Sequence, residues 1–261
     1  MDSASESGYD GKACNIKGSI RFKNVMFSYK KDEPVIRDFN LEVRAGQKIA
    51  LVGATGSGKT TIVNLLTRFY DIDDGEILID GININNIPRK SLRENIAIVL
   101  QDTVLFKDTI AKNISYGKNA SDYNDIINAA ATANARSFIE RLPEGYDTEL
   151  SEGGSDLSEG ERQLLSIARA VLKDPQILIL DEATSNVDTR TELNIQKAMI
   201  RLMKNRTSII IAHRLSTIRD ADLIVVLDNG VIAETGNHDE LLEKKGCYYK
   251  LYMTQFAGKE I

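Results

Sequence analysis

A glycine-rich stretch with a single lysine, Gly53–Thr60, constrains the fold of this chain more than any other feature. It reads G-A-T-G-S-G-K-T and fits the pattern G-x-x-x-x-G-K-[ST]. The apolar run at Lys48–Val52 predicts a strand before it, and apolar spacing over Thr60–Phe69 predicts a helix after it. A strand, a glycine-rich loop and a helix in this order form a phosphate-binding loop, because glycines let main-chain N–H groups turn towards an anion without Cβ clashes.

Each part of this loop has a chemical role towards a polyphosphate. The N-terminus of the helix contributes N–H donors and a partial positive charge. Lys59 adds a full charge for the β- and γ-phosphates, which makes it a catalytic as well as a binding residue, and the Thr60 hydroxyl is a ligand for Mg²⁺. ATP and Mg²⁺ are therefore the expected ligands. The residues expected to hold the nucleotide are Gly53, Ala54, Thr55, Gly56, Ser57, Gly58, Lys59, Thr60 and Thr61.

Length and composition set the broad class. With 261 residues, 42% of them hydrophobic and 27% charged, the chain fits one large domain or a core with a smaller lobe. The net charge of −5, without a dense basic run, argues against a dedicated nucleic-acid binder. No apolar run approaches the roughly 18–20 residues that cross a bilayer, so the isolated chain is expected to be soluble. Cys14 and Cys247 have no ligand-type spacing and are expected to be reduced thiols.

Apolar patterns in the second half of the chain predict buried strands and helices. Continuous short apolar runs are typical of strands buried on both faces of a parallel sheet. Such runs occur at Ile177–Leu180, Ser208–Ala212 and Leu223–Leu227. Helical spacing covers residues 121–142 and Glu161–Leu172.

The ends of the chain complete the expected organisation. Alternating apolar residues from Gly18 predict N-terminal strands, and Asn229-Gly230 predicts a hairpin. The expected fold is therefore α/β: a P-loop NTPase core with a mainly parallel sheet, an N-terminal antiparallel β subdomain and an inserted α-helical subdomain at about residues 107–172. The polar residues 1–17 are expected to be a linker remnant or a cut end, with the folded domain spanning residues 18–261.

Two acids and a histidine follow predicted strands. A carboxylate at the carboxyl end of a central strand lies beside the phosphate loop in a doubly wound sheet. Asp181 is therefore expected to hold Mg²⁺, and Glu182 to polarise the water that attacks the γ-phosphorus. The alternative is that both acids merely mark the end of a strand. His213 is expected to bond the γ-phosphate or to orient Glu182 and the water, with a structural histidine as the alternative.

The segment Leu157–Gln163 reads L-S-E-G-E-R-Q and leads into a predicted helix. Ser158 and Glu161 have the S-x-x-E spacing of a capping box. The segment, placed shortly before Asp181, also resembles the LSGGQ signature of ATP-binding cassette (ABC) ATPases. The two interpretations are compatible, because a capped helix N-terminus still presents donors to an anion.

The resemblance covers essentially residues 18–261 and implies further site residues. Tyr29 is similar to the aromatic residue that stacks on adenine, and Gln101 to the Q-loop glutamine that reaches Mg²⁺ and senses the γ-phosphate. The stretch Ser185–Asp188 resembles the D-loop, and His213 the switch histidine. Ser158, Gly160 and Glu161 lie where the family binds the γ-phosphate held by an opposite subunit.

Several stretches resemble exporters in particular. Thr148–Gly154 is similar to the exporter X-loop, and Phe69–Asp71 and Gly75–Gly81 also match that subfamily. The resemblance implies a nucleotide-binding domain that powers an exporter through nucleotide-driven dimerisation at the cytoplasmic face of the membrane. Its expected partners are a second such domain and a transmembrane domain fused upstream. The cargo, whether drug, lipid or peptide, is not determined by this chain.

Two residues depart from the family's signature sequence, and both the type of dimer and the function have alternatives. Glu159 and Glu161 stand where the family has a glycine and a glutamine. The signature segment that would contact the partner's nucleotide therefore matches the family's motif less closely than the phosphate loop does. A homodimer and the intact half of a heterodimer both fit. An importer ATPase and a soluble ABC ATPase acting on nucleic acid or the ribosome are the alternative functions.

Overall fold

The computed structural model describes residues 16–100, 103–118, 122–181, 187–212 and 215–255. These residues form two compact units. The first unit combines residues 16–96 with residues 207–255, and the second contains residues 97–206. Within the described ranges, no helix has both the length and the apolarity that crossing a bilayer requires.

The elements are numbered in chain order. The strands are β1 (Ile20–Lys30), β2 (Glu33–Val43), β3 (Lys48–Val52), β4 (Asp74–Ile79), β5 (Ile82–Asn83), β6 (Ile96–Val99), β7 (Ile177–Asp181), β8 (Thr207–Ile211), β9 (Leu223–Asp228) and β10 (Val231–Gly236). The α-helices are α1 (Lys59–Leu66), α2 (Arg89–Glu94), α3 (Ile110–Ser115), α4 (Tyr123–Thr132), α5 (Arg136–Ile139), α6 (Glu159–Lys173), α7 (Thr189–Met203), α8 (Leu215–Arg219), α9 (His238–Lys244) and α10 (Cys247–Gln255).

The N-terminal part of the first unit forms an antiparallel sheet of order β2-β1-β4-β5, as predicted. Its buried side chains include Phe22 and Phe39, whose rings pack edge to face at 5.1 Å. Two residues before Gly18 also contact this unit, since Ile16 is buried and the main-chain N–H of Lys17 donates to the Asp80 carboxylate at 2.6 Å. Ile16 and Lys17, which were assigned to the expected linker, are therefore packed or bonded to the folded residues.

A second sheet in the first unit has the order β10-β9-β3-β8. Strand β3 lies between β8 and β9 and is parallel to both, and all five residues of β8 are buried. Continuous apolar runs thus mark strands covered on both faces, as predicted. β10 returns antiparallel to β9 through the predicted Asn229-Gly230 hairpin.

The β9–β10 turn also holds the glycine-rich loop in place. The N–H of Gly230 donates to the main-chain oxygen of Ser57 at 3.1 Å, and the Gly230 oxygen accepts from the N–H of Arg37 at 3.0 Å. One glycine of the turn is therefore bonded both to the loop after β3 and to strand β2.

The second unit contains strand β7 beside β6, with helices α3 to α7. Helix α6 packs against α3, α4 and α7. Helix was predicted over residues 121–142, and the structure forms two separate helices within this range. Asn134 adopts a left-handed conformation with φ 58°, its side chain donates to the Asn194 main-chain oxygen, and the chain forms α4 and α5 on either side of it. Asparagine tolerates this conformation better than most residues, so it can end one helix and start another.

Candidate functional site

The glycine-rich loop connects β3 to α1, as the motif requires. Gly58 is the N-cap of α1, with φ 107° and no hydrogen bond from a side-chain cap. A Cβ at this position would lie 2.8 Å from the Ile36 side chain, so both the backbone conformation and the packing demand glycine. The first turn of α1 thus starts with main-chain donors that no side chain caps, which is the arrangement that binds anions at a helix N-terminus.

The Lys59 ammonium lies inside the curve of the loop. It donates to the main-chain oxygens of Gly53 at 2.8 Å and Ala54 at 2.9 Å, and it is 3.4 Å from the Ser57 hydroxyl. Only 9% of the Lys59 residue surface is exposed, so its positive charge is partly desolvated. A partly desolvated ammonium beside a helix N-terminus fits the oxygens of a polyphosphate, because charge-assisted hydrogen bonds are stronger there than in bulk water.

Tyr29 on β1 lies beside the first turns of α1. Its hydroxyl is 3.2 Å from the Thr61 hydroxyl, either of which can donate, and the Asn64 amide donates to it at 3.4 Å. The Tyr29 residue is 46% exposed. The structure therefore places an exposed aromatic ring beside α1, and the base-stacking role that the family resemblance implies for it stays a prediction.

The signature segment forms the start of α6 in the second unit. Ser158 is its N-cap: the Ser158 hydroxyl accepts from the Glu161 N–H at 3.3 Å, and Glu161 Oε2 accepts from the Ser158 N–H at 2.9 Å. The predicted capping box is confirmed. In addition, the Ser158 hydroxyl donates to Glu161 Oε2 at 2.8 Å, so this carboxylate receives two hydrogen bonds from one serine.

Gly160 is a contact point between α6 and α7. A Cβ on Gly160 would clash with Thr191 Cγ2 and would lie 3.2 Å from Val187 Cγ1. The predicted D-loop ends here, and its Asp188 caps α7 by accepting from the N–H groups of Arg190 and Thr191. A hydrogen bond from the Thr191 side chain is the main cause that lowers the pKa of Asp188. Packing against α7 therefore favours glycine at position 160, a reason that the sequence pattern does not show.

The remaining predicted site residues divide into two sets. Thr60 is exposed in the first turn of α1, and Asp181 is the partly buried last residue of β7. Each side chain carries oxygen of the kind that Mg²⁺ takes as a ligand, and the metal-binding roles of both residues stay predictions. Lying outside the described residues are Gln101, Glu182, Ser185, Asn186 and His213. Their roles stay predictions.

Sequence reasoning gave no role to two residues of this site. Tyr70 contacts Tyr29 with a ring-centroid distance of 5.0 Å, and the Asn64 amide bonds the Tyr29 hydroxyl. Tyr70 lies in Phe69–Asp71, a stretch that the sequence analysis noted only for its resemblance to exporters. The two adjacent aromatic residues Phe69 and Tyr70 were the available sign of a role in the site. Asn64 carries no local signal, since an asparagine on a helix surface is common.

The chain belongs to the ABC transporter family. Residues 36–185 match the family described as ABC transporter, which confirms the membership inferred from the signature segment. The fold is accordingly that of an ABC-type P-loop NTPase, with the antiparallel and mainly parallel sheets that the sequence predicted.

Over most of its length the chain is similar to part of several longer ABC transporter proteins. It is 58% identical over 239 residues to YfiC of Bacillus subtilis (strain 168), an uncharacterized ABC transporter ATP-binding protein, covering 92% of this chain and 40% of that protein. It is 55% identical over 246 residues to the ATP-dependent lipid A-core flippase of Syntrophus aciditrophicus (strain SB), covering 94% of this chain and 41% of the flippase. The structure of a bacterial Atm1-family ABC exporter with ATP bound matches with a TM-score of 0.87 and 48% identity, over 93% of this chain and 42% of that one. The chain thus spans less than half the length of these proteins.

Proposed function

We propose that this chain binds MgATP, hydrolyses it, and powers an exporter as its nucleotide-binding domain. The observation that carries the proposal is the loop between β3 and α1, where the Lys59 ammonium lies against the Gly53 and Ala54 oxygens beside a helix start without a side-chain cap. Membership of the ABC transporter family and the likeness to an exporter with ATP bound support the same ligand.

Different residues of the chain have different roles in ATP hydrolysis. Lys59 and the N–H groups of α1 bind the β- and γ-phosphates. Thr60 and Asp181 would hold Mg²⁺, with Gln101 reaching it, and the metal would offset phosphate charge when bound. Glu182 positions and polarises the attacking water, and His213 orients it. Water adds to the γ-phosphorus as the bond to the β-phosphate oxygen breaks, which leaves ADP and inorganic phosphate.

Dimerisation would couple this reaction to movement. Two copies, or this chain and a related one, would sandwich two ATP molecules, each between one subunit's Gly53–Thr61 and the other's Ser158–Glu161. Loss of the γ-phosphate, which both subunits bind, would open the sandwich. A transmembrane domain, placed upstream in the native protein, would convert closure and opening into transport at the cytoplasmic face of a membrane. The exporter relatives favour this over the importer and soluble ABC alternatives.

The primary test is hydrolysis and assembly by the chain itself. We expect phosphate release from ATP that stops when Mg²⁺ is chelated, because the metal offsets the charge developing on the phosphates. Sedimentation velocity should show a larger dimer fraction with MgATP than with MgADP, since ADP lacks the phosphate that bridges the subunits. A chain that binds neither MgATP nor MgADP contradicts the proposal, and so does one that binds both without ever releasing phosphate.

Glu161 leads to a prediction about the signature segment, which one subunit would present to the nucleotide of the other. Glu161→Gln retains the capping-box geometry but removes a negative charge near the proposed γ-phosphate contact. We expect ATP-dependent dimerisation to strengthen about three- to tenfold, the scale of one screened charge repulsion at close range. Sedimentation equilibrium in a Glu182→Gln background, where nucleotide persists, measures it.

Glu144→Gln, the same charge change on an exposed residue of the second unit, is the control for Glu161→Gln and should leave dimerisation unchanged. Unaltered or weaker dimerisation of Glu161→Gln would show that the carboxylate does not oppose the bridging phosphate.

A further inference from the structure

The exposed ring of Tyr29 is buttressed by two other aromatic rings. Its centroid lies 4.8 Å from that of Phe27 with an interplanar angle of 86°, and 5.0 Å from that of Tyr70 with an angle of 89°. Phe27 and Tyr70 also contact each other at 5.7 Å. Phe27 is buried, while Tyr29 and Tyr70 are 46% and 47% exposed. Edge-to-face contacts of this kind have preferred geometries, so the two neighbours restrict the orientation of the Tyr29 ring.

The other end of Tyr29 is fixed on α1. Its hydroxyl contacts the Thr61 hydroxyl at 3.2 Å and accepts from the Asn64 amide at 3.4 Å. Thr61 is two residues after Lys59, so the same helical turn carries the phosphate-binding charge and the anchor of the aromatic ring. The distance between the ring and the phosphate loop is thereby set by a rigid helix.

Tyr70 is itself held on a well-anchored segment. The neighbouring Asp71 forms ion pairs with Arg89 at 3.3 Å and with Arg68 at 3.8 Å, and the Arg68 side chain is only 13% exposed. The Arg93 guanidinium donates to the main-chain oxygen of Arg68 at 3.0 Å. Tyr70 is therefore presented by ordered backbone, and its ring can act as a fixed wall for Tyr29.

We propose that Tyr70 is a positioning residue for nucleobase recognition: it holds Tyr29 ready to stack on the base of the bound nucleotide. The inference rests on the proposed function, since it needs a nucleotide on the phosphate loop. A ring already held in place loses little rotamer freedom on binding, and base stacking on aromatic side chains contributes substantially to affinity. Tyr70 acts through Tyr29 and has no part in binding the phosphates.

The test separates the base from the phosphates. MgADP engages both the ring and the loop, whereas magnesium pyrophosphate engages the loop alone, and neither is hydrolysed by attack on a γ-phosphate. Dissociation constants come from competition against a fluorescent ADP analogue with the 261-residue chain. We expect Tyr70→Leu to weaken MgADP binding by about two- to tenfold, the scale of one newly immobilised side chain. Pyrophosphate binding should stay within about twofold of the wild-type value.

Three further measurements make the role of Tyr70 specific. Tyr70→Phe keeps the ring and should retain wild-type affinity for both ligands. In a Tyr29→Ala background, Tyr70→Leu should cost no further MgADP affinity, because a positioning residue acts only through the ring it positions. Circular dichroism verifies that each variant is folded.

The contrary outcomes are distinct from one another. Unchanged MgADP affinity in Tyr70→Leu, an equal loss for pyrophosphate, or an additive loss in the Tyr29→Ala background would each overturn the assignment of Tyr70. A wild-type chain that binds neither MgADP nor pyrophosphate would instead overturn the proposed function, and this inference with it.

Discussion

The Glu182→Gln variant is expected to bind MgATP with wild-type affinity, to accumulate as an ATP-bound dimer and to hydrolyse ATP about 10²- to 10⁴-fold more slowly. An amide of nearly the same shape preserves contacts but does not polarise the attacking water. The γ-phosphate that would bridge two subunits then persists, so the dimer accumulates. Phosphate release measures turnover, and sedimentation with MgATP measures the trapped dimer.

Glu243→Gln provides the matched control, since it makes the same change on an exposed residue of α9 and should leave turnover unaltered. Wild-type turnover by Glu182→Gln would remove this glutamate from the role of base. Loss of ATP binding together with turnover would point to a binding or structural role instead.

Replacing Lys59 with alanine is expected to weaken MgATP binding by about ten- to hundredfold, because a charge-assisted hydrogen bond is worth about 1.5–3 kcal/mol. The change removes the ammonium that the loop encloses and leaves the main-chain donors of α1 in place. Residual affinity should therefore come from the helix start and from the base. Titration with a fluorescent nucleotide measures the loss.

The control for Lys59→Ala is Lys90→Ala, which deletes an exposed lysine on α2 of the same unit. It should bind nucleotide as the wild type does. Equal affinity of the Lys59 variant and the wild type would refute the assignment of the loop as a phosphate site. An altered circular dichroism spectrum would instead show that the Gly53 and Ala54 oxygens need the ammonium for folding.

Features written in a few consecutive residues were predictable from the sequence. The loop after β3, the Asn229-Gly230 hairpin and the Ser158–Glu161 capping box each depend on local backbone preference or short-range hydrogen bonds, and all three are present. The buried parallel strands were equally clear, because covering both faces of a sheet leaves a continuous apolar run.

Features made by tertiary contact were not predictable in the same way. The packing of Gly160 on Thr191 and the wall that Tyr70 forms beside Tyr29 each join residues far apart in sequence. The break at Asn134 was missed because the surrounding alanines favour helix, while a single left-handed residue, bonded to Asn194, decides the outcome. These features depend on contacts with residues elsewhere in the chain, which a local sequence pattern does not reveal.

The bonds of Gly230 to Ser57 and Arg37 bear on how the protein is made. The late turn at Gly230 bonds to two segments that are synthesised much earlier, and contacts of such large sequence separation form slowly during folding. A nascent chain still lacking the β9–β10 turn would have neither bond. A nucleotide that binds the glycine-rich loop of the folded domain would stabilise that domain, and these two bonds with it, by mass action.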